Sequence, residues 1–144
     1  MMKNLKAILL IVLVSMSVNS YSQIGITGYS INALGVNTTQ NKPLSCELKV
    51  FANRGEFNNT FGEFDVFYNF KPGQYHRFSL GAGFRAMPFN SNNTQTAITI
   101  PAAIEIYPLK DFKKISVLFE LAPEFYENST NLRSLWGLRY TFGE

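Results

Sequence analysis

The sequence predicts an all-β chain, an antiparallel up-and-down transmembrane β-barrel of about eight strands. Three observations predict it. Past the amino-terminal segment, apolar and polar residues alternate with a period of two, as the two faces of a strand do. Charged residues then fall either in turns or on one face of the alternation, and the opposite face carries none. Most of the alternating segments run ten to fourteen residues, near the roughly 9 to 11 that a tilted strand needs to cross a bilayer, whereas soluble strands centre on about five or six.

The chain opens with Met1, Met2, Lys3, Asn4, Leu5 and Lys6 and then runs from Ala7 to Val14 without a polar residue. A positive stretch followed by a short apolar run is the pattern of an export signal, too short for a membrane anchor. Ser20 and Ser22 place small residues at the positions a signal peptidase reads, so cleavage is expected before Gln23, giving a leader of 1–22 and a barrel of 23–144. No cysteine follows the cleavage point directly, which argues against a lipoprotein. Losing Lys3 and Lys6 lowers the formal charge from +3 to +1, and that balance excludes a basic nucleic-acid binder. The single Cys46 has no intramolecular partner and falls on an apolar face, where it reads as a small hydrophobe.

Strand-like segments occupy residues 24–36, 44–53, 61–70, 75–87, 94–107, 114–126 and 132–142. The breaks at 37–43, 54–60, 71–74, 88–93, 108–112 and 127–131 are rich in Asn, Gly, Pro, Ser and Thr, whose backbone preferences suit turns. The Asn-x-Thr/Ser triplets at Asn58, Asn92 and Asn128 read as turn residues. No repeat or linker divides the chain.

One face of these segments is apolar throughout: Phe64, Val66, Tyr68 and Phe70, for example, or Ile98, Ile100, Ala102, Ile104 and Ile106. Aromatics cluster near segment ends, as an interfacial girdle requires. The other face collects Glu47, Lys49, Glu63, Asp65, Arg77, Arg85, Glu105, Glu120, Glu124, Arg133 and Arg139, six acids and five bases, among Ser79, Gly81, Gly83, Ala103, Ser116, Ala122 and Gly137. Small residues leave room for long charged ones inside a narrow barrel, and near-balanced charge lets them pair. An interior ion-pair network is therefore expected. The inverse arrangement, a soluble lipocalin-like lipid carrier with its apolar face inside, uses the same alternation. Strand length, the glycine-rich polar face and the scarcity of lysine on it weigh against that reading.

The final stretch, with Trp136, Leu138, Tyr140 and Phe142 alternating toward the carboxyl terminus, resembles the last strand of Gram-negative outer-membrane β-barrel proteins. Gly143 and Glu144 follow the terminal aromatic, a departure from that pattern. With the leader, the likeness is to small OmpA- or OmpX-type barrels. It implies an outer-membrane location, a lipid environment, and a terminal strand read by the barrel-assembly machinery. Bacterial single-chain barrels have an even number of strands, whereas seven segments are legible here. Neither 24–36 nor 94–107 looks long enough for two crossings. A misplaced boundary near Gly25 or Gly28, or a seam completed by another protein, would resolve the parity.

Candidate chemistry is sparse. His76 shares a face with Phe78 and Leu80, away from any carboxylate, so a lipid hydrolase lacks its constellation. One His and one Cys on different strands form no metal cluster. The pairs Glu63/Asp65 and Glu120/Glu124 share a face, but nearby arginines make structural pairing the stronger reading. Gly81-Ala82-Gly83 precedes no helix and is no phosphate loop. No enzyme activity, metal or cofactor is expected. The sequence points to a non-catalytic barrel, structural or an accessory subunit of a larger outer-membrane complex, with a narrow ion or small-solute channel as the alternative.

Overall fold

A computed structural model describes residues 23–38, 42–52, 60–88 and 95–143. The expected leader at 1–22 lies outside these residues, as do most of the 54–60 and 88–93 breaks with Asn58 and Asn92. The strands are β1 (Ile24–Tyr29), β2 (Ala33–Asn37), β3 (Leu44–Phe51), β4 (Phe61–Asn69), β5 (His76–Ala86), β6 (Thr96–Thr99), β7 (Ala102–Ile106), β8 (Ile115–Tyr126) and β9 (Thr130–Phe142). Each pairs antiparallel with its neighbours, and β1 pairs with β9, from Ile24 opposite Phe142 to Tyr29 opposite Gly137, which closes the wall. β6 and β7 are two halves of one crossing. Both lie between β5 and β8, and Thr99 opposite Gly83 and Ala102 opposite Leu80 keep one register across the gap. The gap is Ile100 and Pro101, where proline has no amide to give the ladder. Gly81 and Ile100 still donate their amides to the Pro101 and Pro123 carbonyls, at 2.7 and 3.1 Å. The barrel thus has eight crossings.

The stagger of the wall follows from the pairings. Partners traced from Ile26 pass through Val36, Leu48, Phe64, Phe84, Ile98 and Phe125 to Thr130 on β9, whereas the direct partner of Ile26 on that strand is Tyr140, ten residues away. Ten residues at ~3.3 Å against eight strands at ~4.8 Å set the strand tilt near ~40°. At that tilt the run from Leu132 to Phe142 on β9 rises ~25 Å, the height of the apolar band of a membrane barrel.

Residues 24–36, read above as one strand, form a hairpin. Its turn is Ser30, Ile31 and Asn32, with Asn32 in the left-handed region at φ 43°, which asparagine tolerates better than most residues. The Ser30 amide donates to the Trp136 carbonyl at 2.9 Å, and the Ala52 amide to the Asn32 carbonyl at 3.0 Å. The length argument failed because β1 and β2 have only six and five residues, and the boundary is not at Gly25 or Gly28. Since β1 and β9 pair with each other, no seam awaits another protein.

The orientation of the two faces excludes the inverted, lipocalin-like arrangement. The apolar face points outward, with Leu34 63%, Leu44 64% and Leu132 65% exposed on the isolated barrel, while the charged face is buried. Tyr68, Phe70, Tyr75, Tyr140 and Phe142 are outward or exposed near the end that carries both chain termini.

Candidate functional site

The alternation of each strand sends its polar residues into a lumen about 8 Å in backbone radius for eight strands at this tilt, so they must meet across the axis. All eleven charged residues of the polar face point inward, and none is more than 9% exposed. Their ion pairs fall into two tiers that share no residue.

The tier farther from the termini joins four acids to three bases. Lys49 Nζ lies 2.7 Å from Glu120 Oε2, 2.8 Å from Asp65 Oδ2 and 3.4 Å from Glu63 Oε1. Arg133 grips Glu63 with both terminal nitrogens, at 2.5 and 2.7 Å, a two-pronged geometry only a guanidinium offers. It also reaches Glu120 at 3.1 Å and Glu124 at 2.8 Å, and Arg85 closes on Glu124 at 2.5 Å. Hydroxyls complete the shell: Thr99 donates to Asp65 at 3.2 Å and Tyr126 to Glu124 at 3.1 Å.

The tier nearer the termini holds two acids and two bases. Arg139 pairs with Glu47 at 3.2 Å and Glu105 at 3.4 Å, and its Nε donates to Thr27 at 2.7 Å. Arg77 pairs with Glu105, which also accepts from Ser116, and Tyr29 donates to Glu47 at 2.6 Å. Beyond it Asn69 donates to Ser45 at 2.9 Å and accepts from Ser79 at 2.7 Å.

Phe67, Ala103, Leu118, Leu135 and the Tyr29 ring pack together between the tiers. Cations also sit over aromatic faces: Arg85 is 4.5 Å from the Phe51 ring and 4.2 Å from the Phe61 ring, and Lys49 is 5.5 Å from the Phe67 ring. Reading the sequence for charge alone missed these inward aromatics, although strand parity marks them: Phe51 follows Lys49 by two, and Phe67 follows Asp65 by two. Room is scarce. Gly83 lies so close to Asp65 and Thr99 that a β-carbon there would stand 2.6 Å from the Thr99 hydroxyl. Near the terminal end a cavity of about 20 Å³, lined in part by Asn37, Glu47, Asn69 and Arg77, has space for about one water.

The arrangement holds its carboxylates rather than freeing them. Glu63, Asp65, Glu120 and Glu124 are each tied to a lysine or arginine. His76 is exposed at the start of β5 on the other side of the wall from this network. Among the described residues no cluster of His, Cys, Asp or Glu could hold a metal. Trp136, Leu138, Tyr140 and Phe142 stand along the outward face of β9.

No protein-family model matches the sequence, and no curated protein is significantly similar to it. Two solved structures are. The N-terminal β-barrel domain of Pseudomonas aeruginosa OprF aligns with a TM-score of 0.53 at 16% identity, over 84% of this chain and 95% of that one. The chain has the fold of a small outer-membrane β-barrel. Yersinia pestis outer membrane protein Ail aligns at 13% identity over 84% of this chain and 98% of that one, with a TM-score of 0.48. The fold assignment rests on the OprF barrel.

Proposed function

We propose that the protein is an integral outer-membrane barrel, exported with a leader removed before Gln23, that acts without catalysis as a structural element or an accessory subunit of a larger envelope assembly. The observation that carries this reading is the pairing of an apolar exterior with an interior filled by ion pairs. An apolar wall of ~25 Å suits hydrocarbon, and a lumen packed with ion-paired, nearly charge-balanced side chains leaves, among the described residues, neither an open path nor an unoccupied nucleophile. Short connections support it as well, because successive crossings are joined by three to nine residues, too few to build a large external surface. The alternation of Trp136, Leu138, Tyr140 and Phe142 suits a terminal strand recognised by the barrel-assembly machinery during insertion.

Two measurements test the reading. Density fractionation of the envelope should place the chain with outer-membrane markers and resistant to alkaline extraction; recovery in the soluble fraction overturns it. Extraction in mild detergent should bring down a stoichiometric partner if the chain is a subunit, and a barrel always recovered alone removes that version while leaving the structural one.

A further inference from the structure

The connections at the two ends of the barrel differ sharply in charge. Three connections, 38–43, 70–75 and 107–114, lie at the end that carries the termini, and they contain Lys42, Lys71, Lys110, Lys113 and Lys114 against the single acid Asp111. At the opposite end the described residues of the connections contain one charge, Glu127. Among the described connection residues, one rim therefore holds five lysines against Asp111, and the other only Glu127. Apart from Lys49, every lysine of the barrel stands at the basic rim.

We propose that this rim is a docking surface for the headgroups of anionic phospholipids in the adjoining leaflet. The proposal rests on the membrane reading above and adds a lipid preference to it. Three features single out that partner. The lysines sit just beyond the apolar wall, next to the outward aromatics, where a long ammonium-tipped side chain can lay its stem along apolar surface and lift its charge into the headgroup layer. They also come from all three connections, so the complementary charge must surround the barrel; a leaflet does so, whereas a single protein partner meets one sector.

Finally, the rim is concave where the charges converge. A groove of about 270 Å³ is lined by Lys42, Lys71, Tyr68 and Phe70 with Pro43 and Pro72. The Tyr68 and Phe70 rings meet edge to face at 5.2 Å. A phosphate held between Lys42 and Lys71 would send its acyl chains down those rings and along the wall. A second hollow of about 400 Å³ gathers Lys110, Lys113 and Lys114 beside Tyr107, with Asp111 as its one acid. Lysine suits this task, being a compact cation on a flexible stem that follows a mobile phosphate.

The test uses the full barrel in vesicles of phosphatidylcholine and phosphatidylglycerol, with spin-labelled forms of each lipid reporting how much is immobilised at the protein. Each lysine near an anionic surface contributes up to roughly fivefold bias before salt screens it, so wild-type protein should immobilise phosphatidylglycerol roughly threefold or more over phosphatidylcholine. High salt should erase most of that preference. Lys42→Gln with Lys71→Gln should lower it, and the same change at all five rim lysines should abolish it while the folded form keeps its electrophoretic mobility. Equal immobilisation of both lipids by wild-type protein, or a preference unchanged in the fivefold variant, overturns the proposal. A chain that never enters the vesicles refutes the membrane reading beneath it instead.

Discussion

Replacing Lys49 by methionine is the sharpest probe of the lumen. The ammonium is fully buried and lies within 2.8 Å of both Glu120 oxygens and of Asp65, with Glu63 at 3.4 Å. Methionine keeps most of the stem's volume, so the change leaves little cavity and isolates the charge. Four acids would then share two bases, Arg85 and Arg133. Deleting one partner of a buried ion pair costs about 3–5 kcal/mol, because the charge left behind keeps its desolvation penalty without its compensation. Here that means a loss of more than a hundredfold in the ratio of folded to unfolded protein, at about 1.4 kcal/mol per factor of ten. Trp136 is the only tryptophan and faces outward on β9, so its fluorescence reports transfer from lipid or detergent to water during unfolding in urea. The variant should unfold at markedly lower denaturant. Adding Glu120→Met should restore at least ~1 kcal/mol of the loss, since residues in one network couple. A Lys49→Met barrel within ~1 kcal/mol of wild type would show that this lysine does not neutralise the acids around it.

Four further outcomes follow from the geometry. Gly83→Leu forces a side chain into Asp65 and Thr99 and should destabilise the barrel by about 1–3 kcal/mol as overpacking does, read as a lower urea midpoint; an unchanged midpoint contradicts the tight lumen. Phe64→Arg places a charge on the lipid face near mid-height and should cost about 2–4 kcal/mol in bilayers, with an equal cost in water-exposed surroundings arguing against burial in lipid. Wild-type protein in planar bilayers should give no stepwise current, and regular single-channel steps would refute a sealed interior. Phe142→Ser should slow accumulation of folded barrel in cells while leaving refolding in detergent nearly unchanged; equal effects in both settings would remove the assembly role.

Much of the wall was legible because a strand's parity is rigid. Once Leu44, Cys46, Leu48 and Val50 are placed outside, Glu47 and Lys49 have nowhere to go but in. The partners of those charges were not legible. Whether Lys49 meets Glu120 or Glu105 depends on the ten-residue stagger around the wall, a sum over every turn and register that no local pattern holds. The β1–β2 hairpin escaped for a different reason. Its turn contains no Gly or Pro, its bend is carried by Asn32 alone, and its strands are shorter than a crossing normally is. Pro101 showed the reverse case, an apparent breaker absorbed inside one crossing because only a single ladder bond is lost.

The sequence spacing of the lumen contacts bears on how such a chain can reach its final form. Lys49 and Glu120 are 71 residues apart, Arg133 and Glu63 are 70, and Arg139 and Glu47 are 92. Within single hairpins the pairing is only partial: Lys49 meets Asp65 and Arg77 meets Glu105, whereas Arg139 and the two-pronged Arg133–Glu63 contact find their partners only across the lumen. Complete pairing of these charges is thereby tied to circularisation, and a half-built sheet leaves part of them uncompensated.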